Sequence, residues 1–391
     1  MWLDAGISID SPEDYLEGSP FDRAVFTILI GGGLIVLARR KVVWSQIARN
    51  NWWLLLLILY AGMSVIWSDF PFVTMKRWFK SALGTLIMAL IILTEEEPLE
   101  AVKAMIRRYA YLCVPFSILL FKYYPGLGRV YTRAGDLMVT GVTTHKNSLG
   151  LMCALVALTV LQDLAKRDSD RVVPSRMTEY LAWVLIVMMA LWLLMLSNSA
   201  TAFVCSVVGF LVYWLTGLSR FRNNPRLIWW AIVIGALAVF GAGNLLDLGS
   251  LVTSSVGREQ TLTGRTELWQ ELLQIQTAPW LGVGYDSFWL GDRAASFWNR
   301  YYWNPNQAHN GYLEMYLNLG WIGACILGVV IVLGFNKIIS LANYNYEWFR
   351  FRMQVFMFVI CHNFTEAGFG KMAITWLLFF LVVIDLGRNG K

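Results

Sequence analysis

The sequence predicts an all-α protein, a polytopic transmembrane bundle of about eleven spans interrupted by one large polar loop. Three observations lead there. Of 391 residues, 57% are hydrophobic and only 15% charged, against about 25% charged in an ordinary soluble domain. Apolar runs close to the ~20 residues that a helix needs to cross a bilayer recur along the chain. Nineteen tryptophans and sixteen tyrosines suit the aromatic belts of the two membrane interfaces.

Taken in order, the apolar runs place spans at about 23–38, 52–68, 77–93, 107–121, 146–163, 179–197, 200–218, 227–243, 312–335, 352–367 and 371–386. The fourth and tenth are the least regular, being short or containing polar residues. Lysine and arginine counts orient the bundle. One set of short loops and the C-terminal tail holds 19 of the 32 positive residues, among them Arg39, Arg107, Arg171, Arg222 and Arg350. That set is expected to be cytoplasmic, which puts the N-terminus outside and the C-terminus inside. Most of the remaining positive residues gather at Lys76/Arg77/Lys80, in the Lys122–Lys146 segment and in the long loop. Cations on the outer face oppose the topology signal, and an anionic ligand is the simplest reason to keep them there.

The net charge of +6 is thereby explained by topology, and no nucleic-acid partner is implied. Cys113, Cys153, Cys205, Cys325 and Cys361 all lie in apolar runs, so neither a disulfide nor a metal site is expected. The acidic N-terminal segment does not read as a cleavable signal peptide. Asp168-Ser169-Asp170 has the look of a metal-binding DxD but sits in a short basic loop, where a solvated charge run accounts for it. With no repeat and no linker, residues 1–391 read as one integral-membrane domain.

The large loop, 244–311, is where aqueous chemistry can be assembled. Thr263-Gly264-Arg265-Thr266-Glu267 leads into Leu268, Trp269, Leu272, Leu273 and Ile275, the apolar face of an amphipathic helix on the bilayer or over the bundle mouth. Thr263 or Thr266 would cap it, placing Arg265 at a helix N-terminus where backbone N–H groups also attract anions. Pro279 is expected to end this helix, and Gly282-Val283-Gly284-Tyr285-Asp286 to form a turn. Arg258 and Arg265, seven residues apart, carry the planar donor fork suited to phosphate; solvated arginines beside lipid headgroups are the plainer alternative. His309 precedes a span, and an imidazole can act as general base on a hydroxyl, with Glu314 one candidate to orient it; a helix-capping histidine would look the same. His145-Lys146-Asn147 opens the fifth span in the same manner, as a phosphate or sugar donor set or as an interfacial anchor. Asn310, Asn363 and Glu366, near the outer ends of spans, are further candidates to bind substrate.

Six short motifs in one order resemble a known family. They are Gly141–Gly150 (GVTTHKNSLG), Ser197–Thr201 (SNSAT), Gly257–Trp269 (GREQTLTGRTELW), Gly282–Phe288 (GVGYDSF), Ala308–Gly323 (AHNGYLEMYLNLGWIG) and Asn363–Glu366 (NFTE). The order resembles the O-antigen ligase and O-antigen polymerase superfamily, in particular its exopolysaccharide-polymerisation branch. The resemblance implies a GT-C-like, metal-independent, inverting glycosyltransferase without a cofactor. Its donor would be a glycan on undecaprenyl diphosphate, met at the periplasmic face by a glycan or lipid-linked acceptor. By the same resemblance Arg258 and Arg265 would hold the diphosphate and His309 would activate the acceptor hydroxyl. His145, Lys146 and Asn147 match a motif of less defined role. Many relatives carry a cation in the turn occupied here by Asn198, and Lys76, Arg77 or Lys80 could substitute for it.

These readings converge on a bacterial inner-membrane polymerase of lipid-linked repeat units, with a chain-length regulator and export proteins as expected partners. The nearest alternative is a ligase that transfers the glycan to lipid A-core or another surface acceptor. A lipid-linked-sugar transporter would need ionisable residues at mid-bilayer depth, whereas this chain concentrates them at the outer interface.

Overall fold

The computed structural model describes residues 20–131, 135, 137–166, 174–232, 259–275, 278–301 and 304–387. Almost all regular structure among them is helical, and five helices are long and apolar enough to cross a membrane: Pro20–Arg39, Pro98–Tyr123, Thr178–Ser197, Ala200–Gly217 and Gly311–Leu341. Trp52–Ile66, Lys146–Thr159 and Ile374–Val383 are shorter apolar helices. The protein is a multi-pass membrane protein. The eighth expected span, 227–243, and the start of the large loop fall mostly outside the described residues.

The described chain forms two compact units, one comprising Met1–Thr94, Leu218–Ser340 and Asn363–Lys391, the other Glu95–Gly217 and Leu341–His362. In the first unit, the third expected span runs without a break from Pro71 through a π-helical stretch, Trp78–Leu83, into Gly84–Leu93. The wider π turn, a feature frequent at functional sites, rotates Trp78 so that its indole donates to the Ile58 carbonyl at 2.9 Å. A side chain at Gly62 would strike that ring at 2.9 Å. On the helix Pro20–Arg39, Gly33 admits Ile87 and Ile91, and Ile30, Leu37 and Ile87 form a small apolar cluster.

The tenth and eleventh expected spans end differently from the sequence reading. Helix Tyr346–His362 stops at His362, and Ile374–Val383 has only 10 residues, about 15 Å of rise at 1.5 Å per residue. Between them the chain is irregular, because the buried Asn363 side chain accepts from the backbone N–H groups of Gly368 and Phe369, both at 2.9 Å. Gly370 then turns with φ of 72°.

The ninth span is the helix Gly311–Leu341, kinked at Gly320 (φ 65°, ψ −169°). The motif around Gly282 fills the kink. Gly284 N–H donates to the Asn318 carbonyl at 2.9 Å, and Trp321 N–H to the Pro279 carbonyl at 2.8 Å. The Asn318 side-chain oxygen accepts from Ser287 and Phe288 at 2.8 and 3.0 Å. A methyl group on Gly320 would lie 2.2 Å from the Trp280 carbonyl oxygen. Gly320→Ala is therefore expected to cost about 2 kcal/mol or more, from a forbidden backbone angle plus a clash with backbone that cannot retreat. A lowered midpoint of thermal unfolding in detergent checks it.

The second unit packs helices Pro98–Tyr123, Lys146–Lys166, Pro174–Ser197, Ala200–Gly217 and Tyr346–His362, with a small antiparallel hairpin, Arg129–Tyr131 against Leu137–Val139. Gly150 faces the Ser197–Thr201 turn so closely that a side chain would meet Ser199 at 2.7 Å. Asn198 holds that turn with φ of 46°, a conformation asparagine accepts more readily than a long cation does.

Candidate functional site

The site is built in the first unit from three pieces of chain. The amphipathic helix begins at Glu259, not at Thr263 or Thr266, and ends at Ile275. Arg265 therefore lies in its second turn, and the expected support from a helix N-terminus does not apply to it. Much of the apolar face packs on protein, while Leu273 stays exposed. Leu268 and Leu272 are fully buried in the loop's own core with Val283, Phe288, Trp289, Phe297, Ala308 and Leu317. That core supplies the rigidity, since burial of such side chains is worth about 1.5–3 kcal/mol each.

Arg265 and Trp269 are four residues apart and so share a helix face. Trp269 donates its indole N–H to the Ala308 carbonyl at 2.7 Å, bringing the helix against the segment that carries His309. His309 has φ of 50°, and the next helix starts at once: Asn310 caps it, its side-chain oxygen accepting from Tyr312 and Leu313 N–H at 3.0 and 3.1 Å. Gly311 donates to the Asn363 carbonyl at 2.8 Å, and a side chain there would sit 2.1 Å from the Asn363 amide oxygen. Asn310 and Asn363, expected to touch substrate, thus hold backbone in place.

The third piece is the irregular segment after Asn363. Arg265 Nη1 donates to the Thr365 carbonyl at 2.6 Å, and Nη2 to Glu366 Oε1 at 3.2 Å. The other carboxylate oxygen, Oε2, stands 3.2 Å from His309 Nδ1. One carboxylate therefore couples the guanidinium to the imidazole. The three side chains remain 21%, 12% and 16% exposed for Arg265, Glu366 and His309, so the cluster is open rather than sealed. With Glu366 ionised, Nδ1 is the hydrogen-bond donor, the tautomer in which Nε2 carries the lone pair.

Glu314 does not orient the histidine. It is 1% exposed, and its oxygens accept from the Trp289 indole at 3.0 and 3.2 Å, from Ala308 N–H at 2.8 Å and from the Asn318 amide at 3.4 Å. Lys371 lies 3.1 Å away as counter-ion. A buried carboxylate needs such partners, and the result fixes the backbone just before His309. Lys371 also donates to the Asn306 carbonyl at 3.2 Å, so the loop is held at 306, 308, 309 and 311.

Of the cations near the third span, Arg77 donates to the Asp286 carbonyl at 2.5 Å and lies 3.8 Å from its carboxylate. Burial pushes the Asp286 carboxyl above the usual carboxylate range, against the pull of Arg77 and Lys371. Lys80 and Lys76 rest on aromatic rings, 4.1 Å from the Phe26 centroid and 4.8 Å from that of Phe72. Arg258 lies outside the described residues. His145, Lys146 and Asn147 belong to the second unit, where His145 Nδ1 accepts from the Asn147 N–H at 3.2 Å and so caps the following helix.

Residues 185–328 match the family described as O-antigen ligase. Over 291 residues the chain is 25% identical to the exopolysaccharide production protein ExoQ of Rhizobium meliloti (strain 1021), a match covering 71% of this chain and 62% of that relative. The chain is thus similar to proteins of the O-antigen ligase/polymerase type. It spans less than two thirds of the length of that relative. The stretch matched to the ligase family holds Arg258, Arg265, His309 and Glu314 but ends before Thr365 and Glu366. Folding rather than local sequence brings the carboxylate to the arginine and histidine.

Proposed function

We propose that the protein is a glycosyltransferase that polymerises undecaprenyl-diphosphate-linked repeat units at the periplasmic face of the bacterial inner membrane. The convergence of Arg265 and His309 on Glu366 carries this reading. A sugar carried on a diphosphate needs a cation where the leaving group gathers charge, and a neutral sugar hydroxyl needs a base. The acceptor oxygen attacks the anomeric carbon from the side opposite the diphosphate. Its proton passes to His309 Nε2 as the bond to the diphosphate oxygen breaks, and the configuration inverts. Arg265 takes up the charge on the departing undecaprenyl diphosphate, joined in this scheme by Arg258. With two of its five N–H donors engaged by Thr365 and Glu366, Arg265 has others to offer a phosphate oxygen.

In this scheme residues 244–311 form the periplasmic loop of a single integral-membrane domain, with the N-terminus outside and the C-terminus cytoplasmic. His145, Lys146 and Asn147 contact the glycan, and Lys76, Arg77 and Lys80 give the outer face its attraction for the donor. A chain-length regulator and export proteins are the partners. The guanidinium supplies the charge a metal would otherwise provide, so chelation with EDTA is expected to leave the elongation rate unchanged within twofold. Recovery of a chelated enzyme on adding Mg²⁺ or Mn²⁺ would contradict this.

The description of the matched family favours a second reading, transfer of the glycan to lipid A-core or another surface acceptor. Purified protein given only lipid-linked repeat units separates the two. Chain extension supports the polymerase, and product formed only when lipid A-core is added supports the ligase.

A further inference from the structure

An aromatic side chain stands open beside the charged cluster. Phe364 is 56% exposed and immediately precedes Thr365 and Glu366, the two residues that hold Arg265. Its ring packs on Tyr312 with centroids 4.8 Å apart. Tyr312 is three residues past His309 and is itself fixed against Phe369 at 5.4 Å. The pair therefore lies within three residues of both the imidazole and the carboxylate.

A lipid-facing role does not suit this position. Phe364 sits on irregular backbone, and irregular backbone is not tolerated against hydrocarbon, only where it is buried in protein or lines a wet cavity. The neighbouring Arg265, Glu366 and His309 are also part-exposed charged or polar groups, which require water or a polar ligand on their open side. An exposed apolar ring two residues from the Glu366 carboxylate fits a ligand that is apolar on one face and polar at its rim. A pyranose is such a ligand, with C–H groups on its face for the electron-rich ring and hydroxyls around its edge.

We propose that Phe364, backed by Tyr312, is the stacking platform for the sugar whose hydroxyl is activated at His309. This rests on the transfer reading and names the subsite that the acceptor occupies. The role is one of binding and alignment, since the ring moves no proton.

The test measures binding of the lipid-free repeat-unit oligosaccharide, released by mild acid from the producing strain's lipid-linked pool, to the purified full chain in detergent. Phe364→Leu is expected to raise its Kd about 5- to 10-fold and Phe364→Ala by about tenfold or more, while Phe364→Trp stays within about twofold of the parent. Leucine preserves apolar volume but has no ring face, so a packing role would survive that change and a stacking role would not. Binding of farnesyl diphosphate, the prenyl-diphosphate probe, is expected to be unchanged in all three. The proposal is overturned if the variants bind oligosaccharide like the parent, if the parent binds none, or if the variants lose farnesyl diphosphate instead. Elongation by the parent protein is scored separately, so failure of the transfer reading and failure of the stacking platform give different patterns.

Discussion

Replacing Arg265 with alanine is expected to lower glycan elongation by about 10³-fold or more while leaving the amount of membrane-inserted protein unchanged. A single preorganised donor at a developing anion is worth about 10²- to 10³-fold, and here the donor also carries full charge in a part-buried site. The backbone around Arg265 is held by the core of Leu268 and Leu272 and by the Trp269–Ala308 bond, none of which involves the guanidinium. Loss of activity through unfolding is therefore not expected. Arg265→Lys keeps the charge but not the planar fork, and an intermediate loss is expected.

The same substitution leaves Glu366, only 12% exposed, without its guanidinium, and that alone could disturb the site. The pair Arg265→Ala and Glu366→Gln removes both charges together. If the double variant bound prenyl diphosphate as the parent does, Arg265 would be a counter-ion for Glu366 and nothing more. Prenyl-diphosphate binding as weak as that of Arg265→Ala is the result expected of a residue that grips the donor.

The membrane class and most helix positions follow from the chain's apolar runs, because the bilayer enforces them residue by residue. The site was legible in part. Arg265 and His309 stood out by residue type, and the four-residue step from Arg265 to Trp269 could have pointed to the chain near Ala308. Glu366 was named without its role, since the 57 residues separating it from His309 are bridged only by folding. Glu314 seemed the closer partner because it is five residues from the histidine along the chain. Yet it lies one turn into the helix and points into the buried network of Trp289, Asn318 and Lys371. The start of the loop helix was misplaced for a local reason. Thr263 and Thr266 read as caps, while packing of Leu268 and Leu272 supports a helix that starts at Glu259 and runs through Gly264. Tertiary burial outweighs the ~1 kcal/mol that a glycine costs a helix. Phe364 lay inside the NFTE motif and the expected tenth span, where a phenylalanine reads as membrane contact.

Removing the imidazole is expected to slow transfer by about 10²- to 10⁴-fold with donor affinity unchanged, the span attributed to a positioned general base. The variant must respect the backbone: His309 has φ of 50°, so His309→Ala adds strain, whereas asparagine tolerates this region. His309→Asn is therefore the cleaner test, with single-turnover elongation and prenyl-diphosphate binding measured side by side. Glu366→Gln approaches the same function from the other side. The carboxylate can only accept, which keeps the proton on Nδ1 and the lone pair on Nε2. An amide can instead donate to Nδ1, favouring the tautomer in which Nε2 is protonated and has no lone pair to take the acceptor proton. A loss of similar size to that of His309→Asn is expected, and the two changes combined should cost little more than either alone because they disable one device. Additive losses would mean that Glu366 serves Arg265 independently of the histidine. Equal loss of donor binding and transfer in His309→Asn would remove the base assignment altogether.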